Sequence, residues 1–197
     1  MRFVIALILL VLAGCDKESQ PKGQAQPAST AKAGASDTAE IALESANGMR
    51  ATLSYQFAGQ KAPSAPFADA QGQDVSLADF EGKPLLLNIW ATWCAPCKAE
   101  MPTLDALAAS EKGRMNVIAV SQDLEGRAPV VAFFTETGVK NLVPYTDADN
   151  ALLTAFNNAI ALPTTILYDS DGKEVWRVAG GVEWDEAEMA KLLRAAD

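Results

Sequence analysis

Two cysteines with two residues between them, Cys94 and Cys97, stand where the apolar run Leu85-Leu86-Leu87-Asn88-Ile89-Trp90 gives way to Ala95-Pro96-Cys97-Lys98-Ala99-Glu100-Met101-Pro102. No other stretch restricts the fold as much: a short strand must run straight into a helix whose first turn holds both sulfurs. Free backbone N–H groups and the positive end of the helix dipole stabilise an anion there. Cys94 is therefore expected to ionise more readily than a free thiol. Cys97, one turn along, can attack a mixed disulfide formed by Cys94 and release the partner reduced. The pattern implies two-thiol exchange.

Spacing alone leaves other uses open, since zinc knuckles, copper sites and structural disulfides employ the same pair. A structural zinc site needs four ligands, and the chain has no histidine and only one further cysteine, Cys15. No metal is expected. A plain structural disulfide stays compatible with the spacing, although the strand-to-helix context suits redox chemistry better.

The N-terminus reads as a processing segment. Arg2 supplies a positive charge, Phe3 to Leu12 is an unbroken apolar run, and Leu12-Ala13-Gly14-Cys15 closes it with small residues before a cysteine. A run of 10 residues is too short for a hydrocarbon core that takes about 20. Leu-Ala-Gly-Cys is similar to a bacterial lipoprotein signal, which implies a signal peptide over residues 1–14 and an acylated Cys15 as first residue of the mature chain. Several acyl chains would hold it firmly at a membrane. Cys94 and Cys97 are then the remaining thiols. Asp16 resembles the signal that retains lipoproteins at the inner membrane of some Gram-negative bacteria, and because that rule varies, the outer membrane stays open. The expected location is the periplasmic face of the inner membrane.

Residues 15–59 are expected to form a lipid-anchored tether. From Asp16 to about Glu40 the composition is Ser, Gln, Pro, Lys, Gly and Ala, too poor in large apolar residues to order itself. From Ile41 to Gly59 the reading is open: Thr52 to Phe57 alternates like a strand, or the segment is an ordered extension packed on the domain, or it continues the tether. A folded domain is expected over residues 60–197. The whole chain is 49% hydrophobic, enough for one domain with a full core. A net charge of −9 without a basic cluster excludes nucleic acid as a partner.

Within that domain Asp69 to Gln73 reads as a turn, Val75 to Leu77 as an edge strand, and Leu85 to Trp90 as a central strand covered on both faces. Apolar residues at 97, 101, 104 and 107 form one stripe of the following helix, which Pro102 should kink. Strands are expected at Met115–Val120, Leu142–Tyr145 and Thr164–Tyr168, and helices at 128–137, 150–156 and 185–196. Ser170-Asp171-Gly172-Lys173 turns the last two strands, the second over Glu174–Val178, into a hairpin.

The run Asn-Ile-Trp-Ala-Thr-Trp-Cys-Ala-Pro-Cys-Lys-Ala-Glu-Met-Pro resembles the active site of the thioredoxin superfamily, in its membrane-anchored TlpA/ResA branch. The order of elements over about residues 60–197 matches that branch, and Ala179-Gly180-Gly181-Val182-Glu183-Trp184 looks more like TlpA than ResA. The resemblance implies an α/β thioredoxin-like fold: a mixed central sheet with helices on both faces, the branch's helix and strand insert, and an N-terminal extension.

It also implies roles for single residues. Trp93, beside Cys94, would contact the partner protein, as suits a large aromatic with a polar edge. Glu100, one turn beyond Cys97, is by residue type a solvated carboxylate. The resemblance instead places it beside the cysteines to move a proton to or from the second thiol. Where soluble thioredoxins carry a buried aspartate this chain has Asn88, which leaves Glu100 as the nearest proton acceptor, with a pKa expected to be raised by partial burial. Pro163 would follow a cis bond opposite the cysteines, against a low base rate for such bonds, and leave the backbone of Leu162 free to pair with an extended client.

Ala95 and Pro96 between the cysteines donate neither charge nor side-chain hydrogen bond, so the thiolate is less favoured and the couple more reducing. Family resemblance agrees: an extracytoplasmic thiol-disulfide reductase needing no cofactor beyond the Cys94–Cys97 pair, acting on disulfide-bearing clients such as apocytochrome c or a copper chaperone or oxidase subunit, and re-reduced by a membrane thiol transporter. The rival reading is a copper-handling or chaperone-like binding module on the same fold. A peroxidase is disfavoured because Arg114 and Arg127 lie far from the cysteines in sequence.

Overall fold

A computed structural model describes residues 40–157 and 160–196. The expected signal segment, Cys15 and the first part of the tether lie outside them. Among the described residues nine strands form one mixed sheet, β1 (Ile41–Glu44), β2 (Arg50–Ser54), β3 (Phe67–Ala68), β4 (Asp74–Val75), β5 (Leu85–Trp90), β6 (Asn116–Ser121), β7 (Pro144–Thr146), β8 (Thr164–Tyr168) and β9 (Glu174–Gly180), in the order β1-β2-β9-β8-β5-β6-β7-β3-β4. The helices are α1 (Ala95–Ser110), α2 (Arg127–Thr137), α3 (Ala151–Ala155) and α4 (Ala187–Leu193).

β5 lies between β6, parallel to it, and β8, antiparallel. Every one of its residues is buried, which is why its apolar run is continuous rather than alternating. Successive side chains point to opposite faces. Leu86 and Trp90 join one core layer with Met101, Leu104 and Leu107 of α1, Val130 and Phe134 of α2, and Met189 and Leu193 of α4. Leu85, Leu87 and Ile89 join the other, with Leu77 and Leu152 of α3. Trp90 stacks on Phe134 with ring centroids 5.7 Å apart, locking α2 to the centre of the sheet. Asn88 shares the parity of Leu86 and Trp90 and so faces α1, a polar side chain in an apolar layer.

The thioredoxin-like architecture expected from the sequence is observed; the segment left open at 41–59 is partly strand, and three other element bounds differ from those expected. The folded region begins well ahead of residue 60. β1 and β2 belong to the sheet: β2 buries Ala51 and Leu53 and pairs antiparallel with β9, Ala51 opposite Gly180. Gly180 has φ +108°, and a Cβ there would run into the Arg50 carbonyl and the Ala51 Cα. Only glycine allows the two backbones to approach so closely.

The strand expected at Leu142–Tyr145 forms instead at Pro144–Thr146. Asp105 of α1 accepts the backbone N–H groups of Lys140, Asn141 and Leu142 at 3.1, 2.7 and 3.0 Å, holding that stretch in a turn. The edge strand ends at Val75, because Ser76 N–H donates to Asp79 Oδ2 at 2.7 Å and opens a 3₁₀ turn over Leu77–Phe80. The last helix is shorter than expected, α4 being followed by a 3₁₀ turn over Arg194–Ala196. Among the described residues no helix is long and apolar enough to cross a membrane.

Candidate active site

β5 delivers the chain to α1 through Ala91, Thr92 and Trp93, and Cys94 caps the helix. Its sulfur accepts the backbone N–H of Cys97 at 3.3 Å, so the first turn holds out a donor to whatever charge Cys94 carries. Pro96 sits in that turn, where a missing N–H removes nothing from the helix ladder. Cys94 and Cys97 are joined by a disulfide with their Cα atoms 5.3 Å apart. Cys94 is 6% exposed and Cys97 fully buried, so Cys94 is the more accessible of the two.

Trp93 is 68% exposed beside Cys94. The Leu162–Pro163 bond is cis. Because β5 and β8 run antiparallel with Ile89 opposite Thr164, Pro163 lies at the end of β5 that leads to the cysteines. Gly180 N–H donates to the Pro163 carbonyl at 2.8 Å, tying β9 to the same corner.

Glu100 departs from its residue type. It is completely buried, on the face of α1 that carries Cys97 and Met101. Asn88 Nδ2 donates to its Oε1 at 2.7 Å and Val182 N–H to its Oε2 at 3.3 Å. The same Asn88 amide donates to Thr165 Oγ1 at 2.9 Å, Thr165 being its cross-strand neighbour on β8. Burial pushes the Glu100 carboxyl up to about 8, against the smaller pull of these hydrogen bonds toward the charged form. At neutral pH the group is mostly protonated, with a proton affinity close to that of an ordinary thiol. A carboxyl one turn from Cys97 can thus give a proton to that sulfur when the disulfide opens and take it back when it closes.

Sequence reasoning missed Val182, which donates to this carboxyl, and Thr165, which holds the Asn88 amide that does so. Thr165 carried a usable signal, since it lies two residues beyond Pro163 in a strand of otherwise apolar residues on that side. Asp123 was also missed. It is buried beyond β6 and accepts Thr92 N–H at 2.9 Å and Thr92 Oγ1–H at 2.6 Å, fixing the residue two before Cys94.

Comparison with known proteins agrees with this geometry. The Redoxin family model matches residues 57–193. The chain belongs to the Redoxin family. It is 36% identical over 124 residues to the thiol-disulfide oxidoreductase ResA of Bacillus thuringiensis subsp. konkukian, covering 62% of this chain and 69% of that protein. With ResA of Bacillus subtilis the identity is 35% over 123 residues, 62% of this chain and 67% of the relative. A crystal structure from Chlorobium tepidum, named for the thiol:disulfide interchange protein DsbE, superposes with a TM-score of 0.62 at 26% identity, covering 71% of this chain and 98% of that one. The protein is a thiol-disulfide oxidoreductase of this Redoxin type, and Cys94 with Cys97 is the dithiol its structure offers for the exchange.

Proposed function

We propose that the protein works as a reductase of client disulfides outside the cytoplasm, held to a membrane by lipid on Cys15. Cys94 attacks a client sulfur; Cys97 then attacks Cys94 and frees the client dithiol. Glu100 takes the proton from Cys97 in that second step. The Cys94–Cys97 pair is the whole redox centre and no cofactor is called for.

The observation that carries the direction is the chemistry around Cys94. Ala95 and Pro96 are exposed and bring neither charge nor side-chain donor to the sulfur, so the reduced thiolate gains little beyond the helix N-terminus. Couples whose thiolate is weakly stabilised are reducing. Electrons then have to be resupplied, and a membrane thiol transporter fits a protein anchored at the same surface. The resemblance to TlpA/ResA proteins points to clients in cytochrome c maturation or in copper delivery to an oxidase.

Equilibration with glutathione buffers tests the direction: a potential well below about −200 mV is expected, and one near about −120 mV, as in strong oxidants, would overturn it. Clients are identified by capture on Cys97→Ser in membranes, where the mixed disulfide on Cys94 persists. Recovery of disulfides with oxidase or cytochrome partners supports the assignment; capture confined to proteins of other pathways removes it.

A further inference from the structure

Beyond β6 the chain makes a tight turn from Asp123 to Gly126, closed by Gly126 N–H to the Asp123 carbonyl at 2.9 Å. Leu124, at its tip, is 68% exposed, as much as Trp93. Large apolar residues this open are few among the described residues, and each of these two directly follows a member of one hydrogen-bonded pair. Asp123 is 1% exposed, and its carboxylate accepts from the backbone and the hydroxyl of Thr92 and from the hydroxyl of Ser121. Thr92 precedes Trp93 and Asp123 precedes Leu124, so each exposed side chain is one residue from the same hydrogen-bonded pair. A second tie, Gln122 N–H to the Trp90 carbonyl at 2.8 Å, keeps the two segments in step. A buried carboxylate with three donors is a fixed joint, because breaking any of them strands a charge-assisted hydrogen bond away from water.

We propose that Leu124 is a specificity-determining residue of the exchange reaction, contacting an apolar side chain that neighbours the attacked cysteine of a client polypeptide. Cys94 is only 6% exposed, so a client disulfide that reaches it must lie across the residues bordering it. Trp93 adjoins Cys94 in the chain, Leu124 follows the carboxylate that holds Thr92 two residues before Cys94, and a Val, Leu or Ile beside the client cysteine would lose water against these two side chains. In the reaction the Cys94 thiolate attacks one client sulfur, the client S–S bond breaks, and the other client sulfur leaves as a thiolate. Leu124 takes no part in bond making. It favours the encounter for clients with apolar flanks and gives nothing to a disulfide without them.

The test uses the full chain carrying Cys97→Ser, in which Cys94 performs the attack alone whatever the physiological direction. Three probes are compared: a disulfide peptide with Val beside its cysteine, the same peptide with Ser there, and hydroxyethyl disulfide. Preference for the Val peptide by about fivefold to tenfold is expected, the size of a partly buried aliphatic contact. Adding Leu124→Ser should erase that preference while leaving the hydroxyethyl disulfide rate unchanged, and Leu124→Met should retain it. A parent with no preference, a preference surviving Leu124→Ser, or equal slowing of all three probes overturns the proposal.

Discussion

Asn88 Nδ2 donates to Glu100 Oε1 at 2.7 Å, joining the middle strand of the sheet to the helix that bears the cysteines. Both side chains are fully buried in a layer that is otherwise largely apolar. The amide is committed to giving, since its second N–H goes to Thr165 and its own oxygen has no donor. It therefore stabilises negative charge on Glu100, the form the carboxyl takes once it has given its proton to the neighbouring sulfur or to solvent.

The first consequence concerns rate. Glu100 can accept the Cys97 proton only when it is itself ionised, so the step in which Cys97 resolves the mixed disulfide should quicken with pH and inflect near 8. Glu100→Gln keeps the shape and the Asn88 contact but cannot take a proton. Single-turnover measurements should show that inflection lost and the step slowed about 10²-fold above pH 8, the lower end of what a positioned base contributes.

Stability gives a second, independent readout of the same group. In the unfolded chain Glu100 titrates near 4.5 and in the folded protein near 8. Between those values the folded state holds a proton that the unfolded state has released, so its contribution is complete below about 4.5 and is lost as pH rises through about 8. Denaturant unfolding of the oxidised protein should show wild-type stability falling relative to Glu100→Gln by up to about 1.4 kcal/mol per pH unit across that window. Parallel curves would mean that the carboxyl titrates near its ordinary value.

Asn88→Ala removes a donor that favours the ionised carboxyl, so the Glu100 pKa should move upward from about 8. The inflection in the resolving step should move with it. Carbon-13 labelling of glutamate side chains, read by NMR against the Glu100→Gln spectrum, follows the carboxyl directly. The stability cost, about 1–3 kcal/mol for a buried polar group left short of a partner, is the lesser readout because many core changes share it.

How much of this was legible in the sequence depends on where each partner lies. The cysteine pair, the strand that feeds it and β8, whose bounds match the expected Thr164–Tyr168, are written in contiguous residues: an apolar run, a capping position, a hairpin turn. Glu100 is different. Whether a glutamate on a helix faces water or core depends on donors supplied from β5 and from the segment after β9, far away in the chain, and its own neighbours Ala99 and Met101 say little. Resemblance pointed to its place beside the cysteines, but full burial exceeds the partial burial expected. Asp105 likewise fixes residues 140–142 from a helix that ended 30 residues earlier. The N-terminal hairpin was ambiguous because β2 is short and its pairing partner lies more than 120 residues away in the chain. The Gly180-Gly181 pair was the available hint, since adjacent glycines near a strand end signal a close backbone approach.

That approach can be tested by filling it. Gly180→Val adds a β-branched side chain at φ +108°, a conformation such residues avoid, and drives its Cβ into the Arg50 carbonyl and Ala51. The chain can relieve this only by moving β2 off β9 or by twisting β9, and β9 is held on its other edge by β8. The inner strand should therefore stay and the hairpin of β1 and β2 should loosen. Amide exchange at Thr52 and Leu53 should accelerate well beyond that at Ile166 and Leu167, with a stability loss of at least about 2 kcal/mol. Uniform acceleration across β2 and β8 would instead mean that the hairpin and the central sheet unfold as one unit.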